Sequence, residues 1–224
     1  MGFQIAIDGP VGSGKSSLAK AVANKLGYIH IDTGAMFRAV AFYAVQNHLD
    51  FENEQDFIKA LPKIDIKIEF LGSQKVFLNN QDITQAIRTA EIGARASNIA
   101  HFPSVRGFLL ELQQKLAETG NIVMDGRDIG TVVLPQADLK IFLDAAIEVR
   151  INRRIGELEE LGIKADYNSL KKQILKRDYD DSNRKNAPLK AADDAIIIDT
   201  SSMNMEQVLE HLLDLFEKII KRRG

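Results

Sequence analysis

A glycine-rich segment near the start of the chain has the residue types and spacing that bind nucleotide phosphates. Gly9, Gly14, Lys15 and Ser16 fill the pattern GxxxxGK[ST]. In such a loop the backbone N–H groups converge on an anion, the lysine reaches the outer phosphates, and the serine hydroxyl can ligate Mg²⁺. We therefore predict a loop that binds the β- and γ-phosphates of ATP or GTP. Its contacts would come from Gly9, Pro10, Val11, Gly12, Ser13, Gly14, Lys15, Ser16 and Ser17.

The flanking residues predict the strand and the helix that such a loop requires. Phe3, Ile5 and Ile7 alternate as in a short buried strand before the loop. After the loop, apolar side chains recur at helical spacing: Leu18, Ala19, Val22, Ala23 and Leu26. A chance match to the loop pattern has odds of about one in a hundred. The predicted strand before the loop and the helix after it further disfavour the alternative, a flexible glycine turn that matches by chance.

Further apolar segments predict a core sheet with helices between its strands. The other strands are predicted at residues 28–31, 121–125, 138–144 and 195–199. Helical spacing appears at residues 35–46, 83–100, 105–116, 167–184 and 205–221. This order predicts an α/β fold of the P-loop NTPase type, with a parallel five-stranded sheet flanked by helices and the phosphate loop after its first strand.

Two stretches depart from the alternation of strands and helices. Residues 64–70 alternate apolar and charged side chains, and residues 75–78 do so more briefly, which predicts a small antiparallel sheet inserted into the parallel one. Residues 167–184 mix both signs of charge and end in RDYDDSNR. Such a helix is usually a solvated face, and the second interpretation is a mobile lid whose arginines close over phosphates.

Two charged residues follow predicted strands at the sheet edge where α/β proteins bind ligands. Asp125 ends an apolar strand, from which nucleotide-binding folds hold Mg²⁺ or its waters, so we predict that it binds a water of the metal ion. The alternative is an ordinary Gly- and Asp-rich turn. Arg38 lies early in the helix after the second strand, and its alternative is a solvated helix arginine. The position of Arg38 at this edge favours a ligand.

Composition limits the partners and the compartment. The net charge is -2, so we expect no nucleic-acid partner, and local arginines must bind any anion. The chain has no cysteine, which excludes disulfides and thiolate catalysis. It shows neither a charged leader with an apolar stretch nor a run near the roughly 18 apolar residues of a membrane helix. We therefore expect a cytoplasmic protein with no membrane partner.

A guanine-specific switch is disfavoured because its base-reading motif is missing. That motif, Asn-Lys-x-Asp, follows a late core strand in GTPases. The one Asn-Lys pair here is Asn24-Lys25, inside the first predicted helix. Mechanical and DNA-handling ATPases are usually larger or have a basic surface. A small-molecule kinase remains.

Six segments carry a closer resemblance. In chain order they read IDGPVGSGKSS, IDTGAMFR, IRTAEIGARAS, FPSVR, DGRDIGTVV and RDYDDSNR. They closely resemble the bacterial cytidylate kinases, which belong to the nucleoside monophosphate kinases and transfer the γ-phosphate of ATP to CMP or dCMP with Mg²⁺. The resemblance covers the chain nearly end to end. It implies a core at residues 1–60, 101–153 and 186–224, a monophosphate-binding insert at 61–100 and a lid at 154–185, and we expect a monomer.

The resemblance also implies a set of residues that bind the acceptor. For the phosphate these are Arg38 and Arg127; for the cytosine, Ser97, Arg106 and Asp128; and for the ribose, Arg177 and Asp181. Thr33 stands where many relatives have serine, and because its hydroxyl survives we expect a polar contact to CMP there.

The remaining implied residues act on the donor and on the transfer itself. Arg184 is similar to the lid arginine that bridges donor and acceptor phosphates, and Arg153 would support the ATP side. Lys15, Arg127 and Arg184 would be the catalytic residues. Ser16 stands where Gly is often found and supplies a Mg²⁺ ligand. Two alternatives stay open: a kinase for another monophosphate such as UMP, and a nucleotide-dependent switch.

Removing the charge of Lys15 tests the phosphate loop. Lys15 is the one loop charge able to follow the transferred phosphoryl group, so Lys15→Ala should lower turnover on the order of a thousandfold, or about 4 kcal/mol of lost stabilisation. A coupled assay of ADP release measures this, and near-normal turnover would reject the assignment.

Overall fold

The computed structural model describes residues 2–70, 72–160 and 162–223. Its strands in chain order are β1 (Gln4–Asp8), β2 (Ile29–Asp32), β3 (Ile66–Phe70), β4 (Gln74–Leu78), β5 (Gln81–Asp82), β6 (Ile122–Gly126), β7 (Leu139–Asp144) and β8 (Ile196–Asp199). Its helices are α1 (Lys15–Leu26), α2 (Thr33–Gln46), α3 (Glu54–Ala60), α4 (Ala90–Ile99), α5 (Pro103–Ala117), α6 (Ile147–Glu160), α7 (Tyr167–Asn183) and α8 (Met205–Arg223).

The larger sheet confirms the five predicted core strands and their parallel arrangement. Its order is β2-β6-β1-β7-β8, with every neighbouring pair parallel. The register places Asp8 of β1 beside Gly126 of β6, and Asp32 of β2 beside Asp125. These strands therefore finish level with one another. The phosphate loop, the start of α2 and the segment after β6 all leave the sheet at this one edge.

Helices cover both faces of the sheet, as a doubly wound fold requires. On one face Ile5 and Ile7 of β1 pack in a buried cluster with Leu18 and Val22 of α1 and Leu212 of α8. On the other face Ala6 and Ile31 belong to a cluster with buried side chains of α2 and α5, among them Met36, Val40 and Leu109. Because β1 is buried on both sides, the loop that follows it is anchored by the core.

The insert forms the predicted antiparallel sheet, with one further strand. Strands β3, β4 and β5 lie in that order, and β3 pairs with β4 from Ile66 opposite Leu78 to Phe70 opposite Gln74. Gln74 also reaches the core: its Oε1 accepts from the Asp32 backbone N–H at 2.7 Å and its Nε2 donates to the Asp32 carbonyl at 3.1 Å. The hairpin is thereby docked on the junction of β2 and α2.

The predicted helix at 83–100 begins later than expected. Residues Ala86–Arg88 form a 3₁₀ turn, and α4 starts at Ala90 because the Thr89 hydroxyl accepts from the Ile92 N–H at 3.2 Å and caps it. The sequence analysis missed α3, which begins after Asn53, whose side chain accepts from the Gln55 N–H at 3.1 Å.

The predicted helix at 167–184 forms as α7, with a difference of one residue at its end. Helix α7 ends at Asn183, so Arg184 lies in extended backbone just beyond it. Arg150 is buried, whereas Arg154 is 38% exposed and pairs with Glu157 on its own helix. Among the residues that the structure describes, no helix combines the length and apolarity needed to cross a lipid bilayer.

The joint between core and insert gives a stability prediction. Phe57 is fully buried, with ring centroids 5.8 Å from Phe51 and 5.2 Å from Phe102. Phe57→Ala should lower the free energy of unfolding by about 3–5 kcal/mol, through lost burial and a residual cavity. The control is Ile58→Ala. Because Ile58 is 44% exposed, this substitution should change the free energy of unfolding by under about 0.5 kcal/mol. Chemical denaturation measures both, and equal losses would contradict the packing described here.

Candidate active site

The phosphate loop is shaped by close backbone contacts. A side chain at Gly9 would place its Cβ 2.1 Å from the Leu143 carbonyl oxygen, so β7 packs against the loop too tightly for any other residue. Gly14 caps α1 in the left-handed conformation, with φ 89°, and has no side chain to accept from the first-turn N–H groups. The N-terminus of α1 is thus open to an anion, as the sequence pattern predicts.

Lys15 is buried within this loop. Its Nζ donates to the Pro10 carbonyl, a neutral acceptor, at 3.2 Å. Burial, followed by the nearby Arg127 guanidinium, lowers the pKa of Lys15 to about 7. A phosphate would favour the charged form of this side chain.

Ser16 and Asp125, which the sequence assigns to the metal site, are in contact. The Ser16 hydroxyl donates to Asp125 Oδ2 at 2.5 Å, and His30 Nε2 lies 2.7 Å from Oδ1. Burial opposes the ionisation of Asp125, but the hydrogen bond and the charge of His30 outweigh it and hold the pKa of the carboxyl below its usual value. The Thr33 hydroxyl donates to the Asp125 backbone carbonyl at 2.7 Å, so an internal partner already occupies it.

This donor set fits Mg²⁺. A hydroxyl and a carboxylate are the hard oxygen ligands that Mg²⁺ prefers, and the ion usually takes only one or two protein ligands and completes its shell with phosphates and water. In the described ranges no group of three or more His, Asp or Glu side chains could hold a metal without such help. Ser16 and Asp125 would therefore need phosphate and water oxygens to complete the shell of such an ion.

Arg38 is positioned by the residue that caps its helix. Asp32 Oδ1 accepts from the Ala35 N–H at 3.2 Å, which caps α2, and Asp32 Oδ2 accepts from Arg38 Nη2 at 2.6 Å. Buried Arg38 Nε has no hydrogen-bond partner among the described residues. The guanidinium is therefore half satisfied by the protein and retains a donor for a ligand.

A chain of alternating arginine and aspartate side chains connects the segment after β6 with the C-terminal end of α7. It runs from Arg106 to Asp128, then to Arg184, Asp181 and Arg127. Arg184 Nη2 lies 3.4 Å from Asp128 Oδ1 and its Nη1 lies 3.3 Å from Asp181 Oδ1, while Arg127 Nε donates to Asp181 Oδ2 at 2.9 Å. Arg106 Nη2 also pairs with Asp128. All five side chains are 6–15% exposed and carry a net positive charge, which favours an anionic ligand.

Arg177 adds to this positive charge. Burial, and then the charge of Arg127, lowers the pKa of Arg177 to about 10, and its buried Nε has no hydrogen-bond partner in the described part of the chain. Burial followed by Arg106 lowers the pKa of Arg184 as well. Burial opposes ionisation of Asp181, but Arg127 and Arg177 outweigh it and lower its pKa. The cluster is a site of crowded cations that phosphate groups would relieve.

Two arginines of α6 donate hydrogen bonds to backbone carbonyls of the phosphate loop. Arg153 Nη1 donates to the Ser13 carbonyl at 3.2 Å and to Thr200 Oγ1 at 3.0 Å. Arg150 Nη1 donates to the Val11 carbonyl at 3.0 Å and to Asp178 Oδ2 of α7 at 2.5 Å. The sequence analysis gave Arg150 no role. In the structure it joins the phosphate loop to α6, on which it lies, and to α7.

A cleft of about 320 Å³ opens at the Arg106 end of the arginine–aspartate chain. Arg106 and Asp128 line it, with Phe37 of α2, whose ring centroid lies 5.5 Å from the Arg106 guanidinium carbon. Ser97 does not line this cleft. Its backbone carbonyl accepts from the Ala100 N–H at 3.3 Å, one turn from the Ala100 carbonyl that accepts from Arg106.

The sequence analysis missed three side chains of this region: Asp8, His30 and Asp32. Asp8 and Asp32 each end a core strand, so the rule that selected Asp125 would have selected them as well. No sequence signal marks His30, because a histidine in a short strand is more often structural.

The lowered pKa of Lys15 gives a prediction about proton uptake. With a pKa of about 7 Lys15 is largely neutral at pH 8, and a bound triphosphate would restore its charge. The protein should therefore take up about one proton, at most, for each ATP bound at pH 8, since ATP itself is fully ionised at this pH. Calorimetry in buffers of different ionisation enthalpy measures this uptake, which Lys15→Met should abolish. Equal uptake by both proteins would contradict the assignment to Lys15.

Solved structures share the fold. An uncharacterized protein from Eubacterium ventriosum matches with a TM-score of 0.56 at 12% identity, over 96% of this chain and 98% of that one. A gluconokinase from Sinorhizobium meliloti matches with a TM-score of 0.50 at 14% identity, over 99% of this chain and 98% of that one. At these identities the likeness shows the fold alone.

Sequence relatives are much closer. Proteins named cytidylate kinase match from Caldicellulosiruptor bescii, at 47% identity over 98% of this chain and 97% of the relative, and from Streptococcus mutans, at 48% over 99% of each. One from Thermotoga maritima is 46% identical over 96% of this chain and 97% of its own. The sequence model of the cytidylate kinase family matches residues 5–218. This chain belongs to the cytidylate kinase family.

Proposed function

We propose that the protein transfers the γ-phosphate of ATP to CMP or dCMP, giving CDP or dCDP and ADP. The observation that carries the proposal is the buried arginine–aspartate chain, which has an Arg106–Asp128 pair at one end and Arg127 at the other. Its two ends have different chemistry: a donor beside an acceptor suits a base edge, and the Arg127 guanidinium, whose carboxylate partner a phosphate can replace, suits a phosphate. Membership of the family supports the same reaction.

Arg106 and Asp128 match the polarity of cytosine. Cytosine presents an exocyclic amine beside two ring acceptors, N3 and O2. The Asp128 carboxylate can accept from the amine, and the Arg106 guanidinium can donate to the ring acceptors. The Ser97 hydroxyl would complete the base site from α4, which requires a small approach of that helix.

The ribose and the phosphate of the acceptor would lie along the arginine–aspartate chain, toward the phosphate loop. Arg177 and Asp181 would bind the ribose hydroxyls. Arg38 and Arg127 would bind the acceptor phosphate, since each lies at the carboxyl edge of the sheet and pairs with a carboxylate that a phosphate can replace. Thr33 would support this site through its bond to the backbone of β6.

The donor would lie on the phosphate loop. The N–H groups from Gly9 to Ser17 would bind the β- and γ-phosphates. Arg153 donates to neutral oxygens of Ser13 and Thr200 and would keep its charge for the ATP side. Ser16 would hold Mg²⁺ with the phosphates, and Asp125 would hold a water of the ion. Bound there, Mg²⁺ would neutralise charge on the phosphate oxygens.

The transfer itself needs alignment and neutralised charge rather than a covalent enzyme intermediate. Lys15, Arg127 and Arg184 would be the catalytic residues. Lys15 follows the transferred group from the donor side, Arg127 holds the acceptor, and Arg184 bridges the two. Their burial excludes water, which strengthens each interaction with the phosphoryl oxygens.

The proposal includes a division of labour along the chain. Residues 1–60, 101–153 and 186–224 would form the core, residues 61–100 the monophosphate-binding insert, and residues 154–185 the lid. We place the enzyme in the cytoplasm as a monomer with neither nucleic acid nor membrane as a partner, which sedimentation and cell fractionation test directly.

Base selectivity tests the proposal. Uracil would set O4 against the Asp128 carboxylate and its N3–H against Arg106, and each mismatch leaves a buried polar group unpaired at about 1–3 kcal/mol. We expect kcat/KM for CMP and dCMP to exceed that for UMP roughly a hundredfold or more. AMP and GMP should be nearly inert. A coupled assay with a panel of monophosphates measures all five.

Two variants sharpen this assay. Asp128→Asn exchanges half of the acceptor for a donor and should narrow the CMP-to-UMP ratio. Asp214→Asn on the exposed surface of α8 makes the same chemical change away from the site and should leave the ratio as it is. A wild-type enzyme that prefers UMP or AMP would refute the base assignment. ATP hydrolysis that does not respond to any monophosphate would indicate a switch.

A further inference from the structure

Asp8 is a buried carboxylate that the proposed reaction does not use. It ends β1, directly before the phosphate loop, and is 4% exposed. Its Oδ1 accepts from the Ile129 N–H and its Oδ2 from the Gly130 N–H, both at 2.8 Å. The two oxygens therefore hold two successive backbone groups more than a hundred positions away in the sequence.

The segment that Asp8 holds is the one that carries the acceptor residues. Ile129 and Gly130 come immediately after Arg127 and Asp128, and they open a single turn of π-helix, Ile129–Val133. The backbone of Asp128 lies outside the regular helix and strand regions, with φ −144° and ψ 28°. Local sequence does not fix such a backbone, so contacts from elsewhere must hold it in place.

The fit around the two N–H groups is close. A Cβ added at Gly130 would lie 3.2 Å from the Lys140 side chain and 3.5 Å from Asp8 Oδ2. The backbone of the segment is thus gripped between β1 and β7. A shift of the carboxylate would move this backbone, and with it the start of the Arg127 and Asp128 side chains.

We propose that Asp8 is a positioning residue for the acceptor: its ionised carboxylate fixes the backbone after Asp128, and so directs Arg127 and Asp128 at CMP. The inference rests on the proposed function and extends it to a side chain that touches neither substrate. It also links the donor loop to the acceptor segment through one residue.

The charge state of Asp8 makes this role testable. Burial raises the pKa of Asp8 to about 7, against the lowering effect of the two N–H groups; Asp128 raises it further and Arg127 lowers it. From β6 and β7 the residues aligned with Asp8 are Gly126 and Phe142, which carry no charge. The Lys140 ammonium on β7 is bound to Asp194 and to the Pro135 carbonyl.

The raised pKa of Asp8 also makes the stability of the protein depend on pH. Because the pKa of Asp8 is higher in the folded protein than in the unfolded chain, the contribution of Asp8 to the free energy of unfolding falls as pH rises from about 4 to about 7. An ionised Asp8 at neutral pH therefore costs stability.

Asp8→Asn is the test, because the amide keeps the shape but offers one acceptor and one donor to two N–H groups. At pH 8 it should raise KM for CMP about tenfold, as one lost hydrogen bond to a charged group predicts, and leave KM for ATP within about twofold. The ratio of the mutant KM to the wild-type KM should fall toward one below about pH 7, where wild-type Asp8 is itself protonated. Taking the ratio cancels the titration of CMP.

Asp138→Asn is the matched control. Asp138 Oδ2 accepts from the Gln4 N–H at 2.6 Å, so it also fixes a backbone group of β1, but at the opposite end of the strand. This variant should affect thermal stability and neither KM. In the wild-type protein the amide proton shifts of Ile129 and Gly130, followed by NMR, should titrate together near pH 7, and this measurement needs no variant.

The outcomes separate the two proposals. Wild-type protein that does not use CMP would refute the proposed function. Wild-type protein that uses CMP, with Asp8→Asn raising both KM values equally or neither, would refute the positioning role alone. A KM ratio that stays constant across pH, or amide shifts that do not titrate, would also overturn it.

Discussion

The level finish of the parallel strands is the constraint on which the site depends. Asp8 lies beside Gly126 and Asp32 beside Asp125, so three separate stretches of chain leave the sheet within one or two residues of the same height. Parallel pairing admits no local adjustment of one strand without its neighbours. The buried packing on both faces of β1 fixes that register. The distance from the phosphate loop to the acceptor segment is thereby a property of the core.

Charge is the second constraint, because the site gathers more cations than a buried region tolerates alone. An unpaired guanidinium in a low-dielectric site is costly, and the aspartates of the chain offset that cost when no phosphate is present. Asp128 and Asp181 each bind two arginines. The pairs keep the side chains ordered, and the surplus positive charge keeps them selective for anions.

The sequence was informative where local rules determine structure. The phosphate loop, the five core strands and the inserted hairpin follow from glycine spacing and apolar periodicity, and the structure has them at the predicted places. The start of α4 was predicted too early, because the capping hydroxyl of Thr89 ends the preceding turn and periodicity does not register a cap. The partners of Arg127 and Arg184 were beyond prediction from pattern alone. Asp181 contacts Arg127 across 54 positions of sequence, and such contacts depend on how α7 packs against the end of the sheet.

The contact of Gln74 with Asp32 bears on the exposed side of the sheet. Strand β2 is an edge strand, and an edge offers unpaired N–H and C=O groups to any passing strand. The Gln74 side-chain amide accepts from the Asp32 backbone N–H and donates to the Asp32 backbone C=O, as the backbone of a neighbouring strand would. A single side chain thus binds both backbone polar groups of the last residue of this edge strand. The insert thus covers the end of a sheet edge that another strand could otherwise pair with.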